Sequence, residues 1–242
     1  MSLPRFVVPW TESPAENALV PLGPEQARHL GVLRLGPGAA LELLLPSGPW
    51  RADLAETGKG RATARLVAPL GEDREPPIPL HACLPLTAQL SLWDDWLPGV
   101  VELGATLIQP VLYARSEPDI RRIEARMERW ERIVVGACEQ SHRSRIPELR
   151  SPVPFRALLE WPIPQRWVAY ELATGQANPA LKPEPLAFTH GPEGGITEGE
   201  FEALAAAGWQ PVTLGRSILR AATCPSALLG AVQYALGSLP SP

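Results

Sequence analysis

The chain opens with short apolar runs set between turn residues. Leu41–Leu45, Trp50–Glu56 and Arg61–Val67 read as strands, separated by Pro46-Ser47-Gly48-Pro49 and Gly58-Lys59-Gly60. A short helical segment between Pro24 and Arg34 carries His29 and closes at Gly36-Pro37-Gly38. Several short strands around one small helix predict a compact β-barrel. Residues 71–79 are polar and proline-rich and read as a linker, dividing the chain into domains 1–72 and 73–242. Beyond the linker the period changes. Leu80–Leu86 and Thr106–Leu112 read as buried strands, and Leu92–Gly104 as a helix interrupted at Pro98-Gly99. Ile120, Ile123, Met127, Trp130, Val134 and Ala137 recur at steps of three and four, the buried stripe of a long amphipathic helix. Arg166–Tyr170, Leu186–Thr189 and Pro211–Leu214 follow as strands, with helices predicted over Thr197–Ala207 and Thr223–Leu236. This alternation predicts an α/β domain with a mostly parallel sheet and helices on both faces.

Composition narrows the class. A chain of 242 residues, 45% hydrophobic, can bury a sizeable core and is too apolar for disorder. It has no uninterrupted apolar run of membrane-spanning length and no signal-peptide pattern over Met1–Trp10. Cys83, Cys138 and Cys224 form no CxxC pair, which argues against a disulfide framework or structural zinc and for the cytoplasm. A net charge of −4 argues against a protein coated in basic charge for nucleic acid. The charge is uneven, however. Residues 115–150 are the one net-positive stretch, with nine basic residues, all arginine, against seven acidic. Glu117–Arg121 and Glu128–Arg132 have the spacing of helix-surface ion pairs, whereas Arg143, Arg145 and Arg150 lie past the helix.

Three loops carry the candidate chemistry. Gly191-Pro192-Glu193-Gly194-Gly195-Ile196-Thr197 follows a strand and opens a helix. Its glycines permit positive φ and close approach to a ligand, but it is neither a dinucleotide nor a P-loop signature. The plain structural reading is a tight turn with Thr197 as N-cap. Leu214-Gly215-Arg216-Ser217-Ile218-Leu219-Arg220 is a second strand-to-helix loop, in which Arg220 reads equally as a surface arginine. Two such loops in one parallel sheet suit a ligand site at the carboxyl ends of its strands. Glu139-Gln140-Ser141-His142-Arg143 ends the long helix and reads locally as a polar helix end. No histidine has metal-ligand spacing, and no HExxH, GxSxG or Cys/His nucleophile pattern occurs.

Taken in order, the motifs resemble one family. Arg5-Phe6, His29 with Val32-Leu33-Arg34, Glu102-Leu103-Gly104, Arg115-Ser116, Arg129-Trp130, Glu139-Gln140-Ser141, Arg143, Ile146-Pro147, Gly191–Gly195 and Leu214–Arg220 are similar to the RsmE family of 16S rRNA (uracil-N3)-methyltransferases, of the SPOUT class. The resemblance implies a PUA-like β-barrel that helps to hold RNA. It implies a following SPOUT α/β trefoil-knot methyltransferase domain, a topology periodicity cannot suggest. It further implies S-adenosylmethionine as cofactor, cradled by Leu172, Gly191, Glu193, Gly194, Gly195, Ile196, Leu214, Gly215, Ile218 and Leu219. Arg220 is the implied catalytic cation, and Arg5, Arg34, Arg115 and Arg143 the RNA-binding residues. The implied partners are 16S rRNA of the small ribosomal subunit and a second copy of the chain, with no metal, DNA or membrane. The chain departs from the family at four places. Gly136-Ala137 stands where Glu-Ala is frequent, and the His29–Val32 segment is one residue shorter than usual. No lysine precedes Glu102, and Ala221-Ala222-Thr223-Cys224 stands where Thr-Glu-Thr-Ala is usual. Two further readings stay open: an enzyme of the same class with another RNA target, and a catalytically silent RNA-binding paralogue.

Overall fold

A computed structural model of the chain describes residues 3–58, 60–71, 73–173 and 178–237. They form two compact units. The first comprises Met1–Glu75 and Cys138–Arg145, and the second Pro76–Ala137 and Ile146–Pro242.

In the first unit, β1 (Arg5–Val7), β2 (Leu19–Leu22), α1 (Pro24–Val32), β3 (Ala40–Leu45), β4 (Gly48–Gly58) and β5 (Arg61–Pro69) follow one another. The five strands form one sheet in the order β1-β3-β4-β5-β2. β1 runs parallel to β3, and the other pairs are antiparallel. Period-two burial drives the pairing: in β5, Ala62, Ala64 and Leu66 face the core while Arg61 and Arg65 face solvent. Phe6, Val20, Leu41, Leu43 and Leu54 complete that core. α1 starts on Pro24, whose missing N–H costs nothing at that position, and ends before the expected glycine pair because Arg34 turns the chain at φ 55°. β1 and β2, too short to show a period, were not legible in the pattern.

The segment expected to be a linker ends in an anchored residue. Glu75 accepts hydrogen bonds from Arg143 Nε (3.0 Å) and from the backbone N–H groups of Ser144 (2.9 Å) and Arg145 (3.0 Å). This ties residues 138–145 into the first unit, so that unit is not one continuous stretch of sequence.

The second unit contains β6 (Leu80–Pro85), α2 (Leu92–Glu102), β7 (Leu107–Leu112), a 3-10 turn (Ile120–Arg122) leading into α3 (Ile123–Ser141), β8 (Glu148–Leu149) and β9 (Val153–Pro154). A 3-10 segment (Phe155–Glu160), β10 (Gln165–Ala169), β11 (Leu186–His190), α4 (Glu198–Ala206), β12 (Gln210–Val212) and α5 (Cys224–Ala235) complete it. Its seven strands pair in parallel throughout, in the order β12-β10-β11-β6-β7-β8, with β9 also on β7. α2 differs from the expectation of a break, since it runs through Pro98 and Gly99. Burial of Trp93, Trp96, Leu97, Val100 and Val101 outweighs the one backbone hydrogen bond that proline removes. Gly99 meets α5 there: a Cβ at that position would lie 2.7 Å from Ser226 Oγ. The stripe of α3 packs as expected, with Trp130 stacked on Trp93 at 4.6 Å between ring centroids. Trp130 Nε1 donates to Asp94 Oδ1 (3.2 Å), and Arg129 Nε donates to Asp94 Oδ2 (2.7 Å).

Candidate functional site

The carboxyl ends of β10, β11 and β12 lie side by side in the sheet, and the loops leaving them form two adjoining cavities. One, of about 350 Å³, is walled by Ala169–Glu171, Val212–Leu219 and Cys224. The other, of about 570 Å³, is walled by Leu92 and Trp96 of α2, Ala169, Glu171, His190–Gly195, Ile218–Ala222 and Cys224. Both volumes lie in the usual range for small-molecule sites.

Local physics shapes each loop. Gly191-Pro192-Glu193-Gly194-Gly195 folds back on itself, with Gly195 N–H donating to Pro192 O (2.8 Å) and Gly195 at φ 75°. A Cβ on Gly191 would lie 2.8 Å from Ile196 N, so only glycine fits that turn. Thr197 caps α4 in a reciprocal capping box with Glu200. Glu200 also accepts from Ala114 N–H (2.7 Å), which holds the loop after β7 against α4. Arg115 on that loop donates through Nη1 to Gly194 O (2.7 Å) and bears on the glycine turn. The β12 loop is held by Asn178, which accepts from Thr213 N–H and donates to Thr213 O, both at 2.8 Å.

The structure brings most of the expected cofactor residues together. Gly191, Glu193, Gly194 and Gly195 line the larger cavity, Leu214 and Gly215 the smaller, and Ile218 and Leu219 both. Ile196 is buried in the core beneath the loop. Leu172 is placed otherwise. It is 70% exposed and lines neither cavity, and the preceding Tyr170 and Glu171 take the wall instead. Arg220 is exposed in the wall of the larger cavity.

Two of the four expected RNA-binding residues are not at the surface. Arg5 and Arg143 are buried, at 6% and 3% exposure, and their charges are used inside the first unit. Arg5 pairs with Glu42 at 2.6 Å and donates to Arg143 O, while Arg143 pairs with Glu75. A buried guanidinium is tolerated only with such partners. Arg34 and Arg115 are exposed. The net-positive segment is also less free than its count suggests. Arg126 and Arg129 bind Asp94, Arg122 binds Asp119, and Arg150 binds Glu148. The expected Glu117–Arg121 pair gives way to Arg121–Asp119, because Glu117 sits at φ 41° and residues 120–122 form a 3-10 turn. The Arg132 guanidinium likewise reaches Glu128 O rather than its carboxylate.

His190 and Trp96 are wall residues that the motifs did not flag. His190 is buried, its Nδ1 faces Gly191 O at 2.9 Å, and burial depresses its pKa to about 4. Nδ1 therefore carries the proton as donor, and Nε2 is a neutral acceptor. Among the described residues, His190 Nε2 and Trp96 Nε1 have no hydrogen-bond partner. Burial pushes the Cys224 thiol up to about 12, with the Glu171 charge adding to the shift, so Cys224 presents a neutral thiol. Among the described residues no three His, Cys, Asp or Glu side chains cluster as a metal site requires.

Comparison with known proteins shows the family. Residues 74–233 match the RNA methyltransferase domain family. The ribosomal RNA small subunit methyltransferase E of Synechocystis sp. is 34% identical over 232 residues, covering 92% of this chain and 75% of the relative. The Neisseria gonorrhoeae ribosomal RNA small subunit methyltransferase E, solved bound to S-adenosylmethionine, is 32% identical with TM-score 0.85, over 96% of this chain and 98% of that one. A putative methyltransferase of Legionella pneumophila, solved with the same cofactor, is 27% identical with TM-score 0.88, over 97% and 98%. A parallel-sheet α/β fold, a glycine-shaped cavity at its carboxyl edge and a match across two-thirds of the chain converge: the chain belongs to the RNA methyltransferase family that includes the ribosomal RNA small subunit methyltransferases E.

Proposed function

We propose that the chain methylates N3 of a specific uridine in 16S rRNA of the small ribosomal subunit, with S-adenosylmethionine as cofactor. The observation that carries this reading is the pair of adjoining cavities at the carboxyl edge of the sheet, with Arg220 in one wall and the glycine turn in another. The residues expected to cradle the cofactor line both compartments, and Arg220 lines the larger.

The residues present fit the cofactor. Gly191 and Gly194 let the turn close tightly on Ile196 and Arg115, which shapes one wall of the larger cavity. Ile218, Leu219 and Ala169 offer apolar walls for a nucleoside, and Glu171 and Glu193 offer carboxylates for a cationic ligand. S-adenosylmethionine supplies an electrophilic methyl group when bound. The chain's own residues do the rest. The glycine turn and the Leu214–Leu219 loop bind and orient. Alignment of two reactants is a large lever, worth several kcal/mol. The uridine must leave its base pair to reach the site. Arg220 then stabilises the charge that develops on the base as N3 loses its proton.

In this reading the second unit is a SPOUT domain whose carboxyl-terminal part is knotted, and the first is a PUA-like barrel that holds RNA. Arg34 in the first unit and Arg115 in the second are the exposed RNA-binding candidates. The working form is a homodimer in the cytoplasm. No helix among the described residues is long and apolar enough to cross a membrane.

The test uses the blocked Watson–Crick edge of N3-methyluridine. Primer extension on 16S rRNA should stop at the modified position in the parent strain and read through in a deletion strain. An unchanged stop after deletion refutes the proposal. A second reading, another RNA target, rests on Ala222, which lines the larger cavity where the family usually carries an acid. Nucleoside mass spectrometry of rRNA and tRNA after incubation with labelled cofactor separates the two.

A further inference from the structure

The two cavities share Ala169, Glu171, Ile218, Leu219 and Cys224. Of these, Glu171 alone carries a charge, because the Cys224 thiol is neutral. The other charged wall residues belong to one cavity each: Arg216 to the smaller, Glu193 and Arg220 to the larger. The Glu171 carboxylate has a defined place. Its Oε1 lies 3.6 Å from where a Cβ on Gly195 would stand, against the glycine turn. Its charge reaches Cys224, across the shared wall. The side chain is exposed and takes part in no hydrogen bond or ion pair among the described residues, so its charge is available to a ligand.

Methyl transfer is an in-line displacement between two reactants. The residues proposed to hold the cofactor line both compartments, so the sulfonium between its nucleoside and amino-acid ends would lie near the wall they share. We infer that Glu171 is the counter-charge of the cofactor's sulfonium and makes the site prefer the charged methyl donor over the neutral thioether product. The inference rests on the cofactor reading above and adds a residue and a role to it. Its consequence is product discharge: once the methyl group has left, the positive charge has gone, and the site loses its preference for what remains.

The role is measured as a ratio of affinities. Calorimetry gives Kd for S-adenosylmethionine and for S-adenosylhomocysteine with the wild-type chain, Glu171→Gln and Glu171→Asp. A counter-charge role predicts that Glu171→Gln weakens the sulfonium ligand about fivefold, the scale of a partly exposed ion pair, and leaves the thioether within twofold. Glu171→Asp should restore most of the difference. Raised salt should narrow the ratio in the wild type and not in Glu171→Gln. Equal weakening of both ligands would assign Glu171 to the shared amino group and overturn the inference, and so would no change in either. A wild-type chain that binds neither ligand removes the cofactor reading itself, and the inference with it. Thermal melting of each variant without ligand checks the fold, which an exposed side chain should leave unchanged.

Discussion

Removing the carboxylate of Glu75 tests how the first unit is held together. The side chains of Glu75 and Arg143 are 6% and 4% exposed. Glu75 receives the guanidinium and the backbone N–H groups of Ser144 and Arg145. Glu75→Ala takes a carboxylate from the buried Arg143 guanidinium and an acceptor from the buried Ser144 N–H. The N–H of exposed Arg145 can turn to water and contributes little. Breaking one side of a buried pair costs about 3–5 kcal/mol, while replacing both partners by apolar groups costs far less. Amide hydrogen exchange of β3, β4 and β5 reads the unit directly. A loss of about 3 kcal/mol speeds globally limited exchange there by roughly a hundredfold. The double variant Glu75→Ala with Arg143→Met should recover a large part of the loss, as coupled sites do. Exchange within twofold of wild type in Glu75→Ala would refute the reasoning. It would return Arg143 to the set of residues whose charge is available to RNA.

Three other outcomes follow from the site. Gly191→Ala forces a Cβ to 2.8 Å from Ile196 N; it should weaken S-adenosylmethionine binding at least tenfold by calorimetry, and unchanged affinity would contradict the close-packed turn. Thr197→Ala breaks the capping box of α4 and should cost about 1 kcal/mol in denaturant unfolding. His190 has a folded pKa of about 4, below its ordinary value of 6.5. The unfolded chain therefore binds a proton between those values and the folded chain does not. Stability from this group is unaffected above pH 6.5 and falls as pH drops from 6.5 to 4, by about 3 kcal/mol in all. His190→Phe should flatten that part of a pH–stability curve, and an unaltered slope would count against a buried neutral imidazole.

Local pattern and tertiary structure made different contributions. The strands β3–β5 and the stripe of α3 were legible because burial on one face imposes a period, and a period is a property of adjacent residues. The glycine turn was legible because only glycine meets its backbone demands, and Thr197 because a cap acts within one turn. The order and spacing of the motifs were enough to indicate the family. Contacts between residues far apart in sequence were not. Nothing near Arg5 or Arg143 announces Glu42 or Glu75, so both arginines read as surface charge until folding buried them. No motif includes Glu171 or His190, though each precedes a flagged residue; the parallel sheet sets the ends of β10 and β11 beside each other and so makes both part of one wall. Pro98 reads as a break, and only the packing of α2 on its neighbours keeps the helix whole. The sequence by itself determined most of the longer elements, the turn chemistry and the family. The tertiary structure decided which charges are buried and which remain for a ligand, because desolvation and pairing depend on the whole set of neighbours that folding assembles.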